Sequence, residues 1–185
     1  QMLIGLLLFI GIWMNLDDIL MFLSKEYSGI KMVFFYIGLA KLIDVSVGVN
    51  GAIIATSNKF NYDLYINILL IIITIFSNMI LIPKYGMEGA AMATALALFI
   101  HNIIKTIVVY LTFNFQPFSF NFIKIIFIGI ISYYILIQLP FFVIESTLLR
   151  IFLRSICILT LYLGSSILFK VSDDVNKQIK IILKR

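Results

Sequence analysis

Long apolar runs follow one another from Met2 to Phe169, separated only by short polar loops. A run of about 18 residues or more reads as a membrane-spanning helix, because a ~30 Å hydrocarbon core takes about 20 residues at 1.5 Å rise each. The strands of a membrane barrel would instead alternate polar and apolar residues over about ten positions, and these runs do not. The expected fold is therefore all-α: a polytopic transmembrane helical bundle of six spans. They cover Met2 to Leu23, Met32 to Ala55, Leu64 to Ile82, Gly89 to Phe113, Ile123 to Leu139 and Leu148 to Phe169. Pro83 and Gly86 are expected to stop the third span, since both residues break or cap helices. Pro117 marks the loop before the fifth span and Pro140 the end of it.

Composition agrees. Of 185 residues, 62% are hydrophobic and only 12% charged, too few charges to cover the surface of a soluble domain. The net charge of +5 is no nucleic-acid signature, because the basic residues sit in loops, at helix ends and in the tail from Lys170 to Arg185. In that tail Val171, Val175, Ile179 and Leu183 recur every fourth residue among Lys and Asp, the pattern of an amphipathic helix lying at a membrane surface. The single cysteine, Cys157, allows no disulfide framework or zinc site within the chain. HExxH, paired CxxC, Walker and GxSxG motifs are all missing, so neither an enzyme nor a cofactor or metal site is expected. The chain enters its first apolar run directly after Gln1, with no charged segment and cleavage site before it. That favours a piece of a longer protein over a signal peptide.

Six spans put both ends on one side. With that side cytoplasmic, the inner segments hold Lys59, Lys124, Lys170, Lys177, Lys180, Lys184 and Arg185. The outer segments hold Lys25, Lys31, Lys84, Arg150 and Arg154. The excess of positive charge inside sets the expected orientation.

Charges at membrane depth cost about 2.5–3.5 kcal/mol each at a helix centre on insertion scales, so their spacing matters. On the second span Lys41, Asp44, Gly48, Gly51, Ala55 and Asn58 recur at steps of three and four, one helical face. Lys41 and Asp44 are spaced to pair. The third span carries Asp63, Asn67, Thr74 and Asn78 on one stripe, and the fourth carries Ala90, Thr94, Ala97, His101 and Lys105. Two readings fit these stripes. One is helix packing through small residues and interhelical hydrogen bonds, suited to Gly48, Gly51, Ala90, Ala93 and Ala97. The other is a water-accessible cavity lined by Lys41, Asp44, Asn67, Asn78, His101 and Lys105, where a histidine beside a lysine makes a titratable or anion-contacting site. Asp17 and Asp18 are expected near the headgroups. Arg150 and Arg154, one turn apart at the start of the last span, are expected to extend to the interface, and Trp13 belongs to an aromatic belt.

One stretch is more specific. Asn78-Met-Ile-Leu-Ile-Pro83-Lys-Tyr-Gly86-Met-Glu-Gly89-Ala90-Ala91-Met-Ala93-Thr94 resembles the helix–turn–helix signature of the polysaccharide-export and O-antigen flippases. These belong to the multidrug/oligosaccharidyl-lipid/polysaccharide (MOP) superfamily. Leu16-Asp-Asp-Ile-Leu-Met-Phe-Leu-Ser-Lys-Glu-Tyr27 looks like that family's acidic helix end. Gly51-Ala-Ile-Ile-Ala-Thr-Ser-Asn-Lys59 looks like its helix closing on a Lys-bearing loop. The likeness covers Met2 to Phe113.

The resemblance implies a membrane transporter fragment. Residues 1–113 would be four helices of the second flippase lobe, 114–169 two appended helices, and 170–185 a basic cytoplasmic tail. The partners implied are membrane lipid, a polyprenyl-diphosphate-linked glycan and the missing N-terminal lobe; no nucleic acid is expected. Pro83, Gly86, Gly89, Ala90, Ala93 and Ala97 would serve the turn and the packing beyond it. A cation-coupled multidrug exporter of the same superfamily and a non-transporting scaffold of a glycan-synthesis complex are the alternatives.

Overall fold

The computed structural model describes residues 1–22, 29–115, 120–169 and 171. Among them the regular structure is helical throughout: α1 (Met2–Leu20), α2 (Ile30–Val47), α3 (Val49–Ala55), α4 (Asn61–Phe113), α5 (Phe120–Ile137) and α6 (Thr147–Leu168), with a 3₁₀ turn at Phe141–Val143. By length and composition α1, α4, α5 and α6 can each cross a membrane, and α2 with α3, bent by 54°, makes a fifth when the pair counts as one span. The tail expected to be amphipathic lies outside the described residues apart from Val171, which is buried. The loop at 23–28 and most of the Pro117 loop, at 116–119, lie outside them too.

Helix α4 spans 53 residues, and drawn straight it would reach about 80 Å. It folds back instead. Gly86 takes φ 57° and ψ −129°, near the values of about +60° and −120° for the first central residue of a type II′ turn. Glycine reaches that region without a Cβ penalty. Three pairings show the reversal: Gly89 lies against the Leu81 carbonyl, Asn67 meets His101, and Asp63 meets Lys105. All are centred on residues 84–85, so α4 is an antiparallel hairpin of two arms. A Cβ on Gly89 would strike the Leu81 backbone, which explains a glycine there. The expected stop is thereby corrected in one respect. Pro83 lies inside the helix, and the reversal belongs to Gly86.

Packing groups the helices into two compact units. Gln1 with Phe22–Phe118 forms the first, and Met2–Met21 with Ser119–Arg185 the second. In the first, α2 and α3 pack on α4, around buried Ile54, Ile66 and Val109. In the second, α1, α5 and α6 pack on one another, with Gly129 of α5 against Leu6 and Ile10 of α1. Exposed side chains in both units are chiefly Ile, Leu and Phe, as suits helices whose surroundings are hydrocarbon.

Candidate functional site: a polar seam in the first unit

On the second arm of α4, Gly89, Ala93, Ala97, His101 and Lys105 recur every fourth residue and share a face. The first three are small and buried, so the arms close tightly near the turn. Farther from it the face turns polar. The Asn67 amide donates to Asp63 Oδ2 at 3.0 Å, and Asn67 Oδ1 lies 3.1 Å from His101 Nε2. Lys105 Nζ stands 3.1 Å from Asp63 Oδ1, an ion contact rather than an aligned hydrogen bond.

This arrangement assigns the histidine tautomer. A carboxylate only accepts, so the Asn67 nitrogen must face Asp63 and its oxygen must face His101. Nε2 of His101 therefore carries a proton and donates it. When His101 is neutral its Nδ1 is a bare acceptor, buried and without a partner among the described residues.

Asn102 sits one residue beyond His101, turned about 100° around the helix, and so meets α2 instead. Its amide donates to Asp44 Oδ1 at 3.3 Å. Asp44 also faces Lys41 at 3.9 Å, and the Lys41 side chain is 64% exposed. One turn past Asn102, the Thr106 hydroxyl accepts from Asn50 Nδ2 at 3.0 Å and donates to the Asn102 carbonyl at 2.8 Å. The Lys105 ammonium lies 3.3 Å from where a Gly51 Cβ would be, so the missing side chain at residue 51 leaves it room. The second arm thus carries two polar faces, one toward the first arm and one toward α2 and α3.

Of the residues expected at a cavity, Asn67, His101 and Lys105 come together, with Asp63 as the group that joins them. Lys41 and Asp44 lie on the adjoining face, linked through Asn102. Asn78 does not join: it is half-buried and roughly 16 Å from Asn67 along the arm. Thr74 and Thr94 add no bond between the arms through these contacts, since their hydroxyls donate to Leu70 O at 2.7 Å and Ala90 O at 2.9 Å on their own arms. Ala90 is half-buried, whereas Ala91, Ala93 and Ala97 are buried. Sequence reading missed Asn50, Asn102 and Thr106 as members of the seam. Asn50 and Thr106 are each adjacent to a stripe residue, and the step of four from Asn102 to Thr106 was the available signal.

The second unit holds a separate charge cluster. Asp18 of α1 is 4% exposed. It forms an ion pair with Arg150 Nη2 at 2.6 Å and accepts a hydrogen bond from Arg154 Nη1 at 2.8 Å. Arg154 also donates to the Met14 carbonyl at 2.6 Å, and Arg150 to the Ile144 carbonyl at 3.2 Å. Nearby, Asn15 donates to Ser155 Oγ at 3.2 Å. Asp18, expected near the headgroups, and the two arginines, expected to extend to the interface, thus pair with one another between the end of α1 and the start of α6.

Comparison with protein-family models, with curated proteins and with solved structures finds no match for the chain.

Proposed function

We propose that this chain is the C-terminal part of a flippase that moves polyprenyl-diphosphate-linked oligosaccharide across the bacterial inner membrane for polysaccharide biosynthesis, by alternating access. On this reading α2 with α3 crosses once and the arms of α4 cross twice, giving six crossings with both ends cytoplasmic. The observation that carries the proposal is the polar seam where α2, α3 and both arms of α4 meet. Ionisable groups inside apolar helices are costly and ordinarily mark a substrate or ion route. A broken helix beside such groups is a recurrent device of transporters, and α2–α3 is broken beside this one. Lys41, the exposed cation, would meet the diphosphate first. Lys105 reaches an anion by leaving Asp63, and Asp44 tunes Lys41. His101 would be a further contact for diphosphate or acidic sugar and Asn67 would serve glycan hydroxyls, while Asn78, outside the seam, has no part in this reading.

The test is glycan export by the full-length protein carrying Lys41→Ala, Lys105→Ala or both, at matched protein levels. More than a tenfold loss of surface glycan in the double variant is expected. Unchanged export would remove the transport role. One observation favours the scaffold reading: Lys105 and Lys41 each have a carboxylate partner within the unit. Under that reading export survives both replacements and co-purification with glycan-synthesis enzymes falls.

A further inference from the structure

The 54° bend between α2 and α3 is not imposed by the backbone. Gly48, the one residue between them, has φ −55° and ψ −25°, within the right-handed helical region open to every residue type. No proline occurs between Ile30 and Ala55. Just before the bend the Ser46 hydroxyl bonds the Ile43 carbonyl at 2.6 Å, a back-bond that loosens a helix without breaking it.

Side chains hold the bend. Asp44, four residues before Gly48, accepts from Asn102, and Asn50, two residues after it, donates to Thr106. Asn102 and Thr106 are successive turns of one arm, and Lys105 between them sits over Gly51. Both halves of the broken helix are therefore pinned to the same short stretch of α4. Joined end to end, Ile30–Ala55 would form a helix of about 39 Å, long enough to cross a ~30 Å core unaided.

We propose that the α2–α3 junction is a two-position hinge, bent while Asn102 and Thr106 hold Asp44 and Asn50, and straight once they release. Straightening draws Asn50 off the second arm. Asn50 is 0% exposed when latched, and its Oδ1 has no partner among the described residues, so release uncovers an acceptor that the bent form keeps dry. The inference does not depend on which cargo, if any, the chain moves.

The test uses spin labels at the exposed positions Met32 and Thr56, in the full chain with Cys157→Ser, reconstituted in lipid nanodiscs. Pulsed dipolar spectroscopy reads the distance between them. In Asn102→Ala/Thr106→Val the main distance should lengthen by about 3–4 Å, from the 1.5 Å rise and the loss of the bend. Adding Gly48→Ala should sharpen the longer peak, and adding Gly48→Pro should return the shorter one, since proline kinks a helix. An unchanged distance in the unlatched protein, with helix content intact by circular dichroism, overturns the hinge. A peak that broadens without lengthening overturns it too. If the double replacement does not fold, Thr106→Val with Gly48→Ala is read by the same criteria.

Discussion

In the second unit one carboxylate, Asp18, takes two guanidinium groups at 2.6 and 2.8 Å, and both arginines also donate to backbone carbonyls. In the first unit Lys105 stands 3.1 Å from Asp63 without an aligned hydrogen bond, Lys41 stands 3.9 Å from Asp44 and is mostly exposed, and His101 Nδ1 is left bare. Both regions put ions among apolar helices, and both leave buried polar atoms without a hydrogen-bond partner among the described residues: Asp63 Oδ1 and His101 Nδ1 in the first, Asn15 Oδ1 and Arg150 Nε in the second. They differ in the number and length of their ion contacts. The chemistry of the cations explains part of this. A planar guanidinium offers five donors in a fixed fork that matches a carboxylate, whereas an ammonium is a compact charge on a flexible stem. The Asp18 cluster ties α1 to α6 through two short ion contacts on one carboxylate; the ion contacts of the first unit are single and longer.

The sharpest way to break this contrast is Asp18→Leu, which strands two arginines in the interior. A loss of about 3–5 kcal/mol is expected, read as the unfolding midpoint of the detergent-solubilised chain in a denaturant titration. Asp18→Leu combined with Arg150→Leu and Arg154→Met should recover most of that loss, because removing a whole buried ion cluster is often neutral. Next in size is Lys105→Met, expected to cost about 2 kcal/mol by the same titration, less than Asp18→Leu because its carboxylate partner keeps the Asn67 amide. If Lys105→Met costs as much as Asp18→Leu, the two regions do not differ in kind. Asn15→Leu removes one bond to Ser155 and should cost about 1 kcal/mol. Lys41→Gln should move the midpoint by no more than about 0.5 kcal/mol, as for other exposed pairs; a larger effect would put Lys41 in the locked class.

Much of the helical frame was legible because long apolar runs and steps of three and four are local properties of the chain. The facing stripes of the hairpin followed from Asp63, Asn67, His101 and Lys105 for that reason, and the turn followed from glycine at 86. The bend at Gly48 was not legible, since its dihedral angles are helical and its cause is a pair of side-chain bonds to a distant segment. Asp18 and Arg154 lie 136 residues apart, and no local pattern pairs them. Each arginine read singly has no partner in its own helix; only the third dimension supplies the carboxylate. Asn78 shares a stripe with Asn67, but eleven residues of helical rise separate them along the arm, so a common face did not bring them together.

The hairpin imposes an order of events on the growing chain. Asp63 leaves the ribosome with the first arm, while the cation that neutralises it arrives only after the turn and most of the second arm have been made. Until then Asp63 lacks the cation it pairs with in the folded unit. Insertion of the two arms as a pair would shorten that interval.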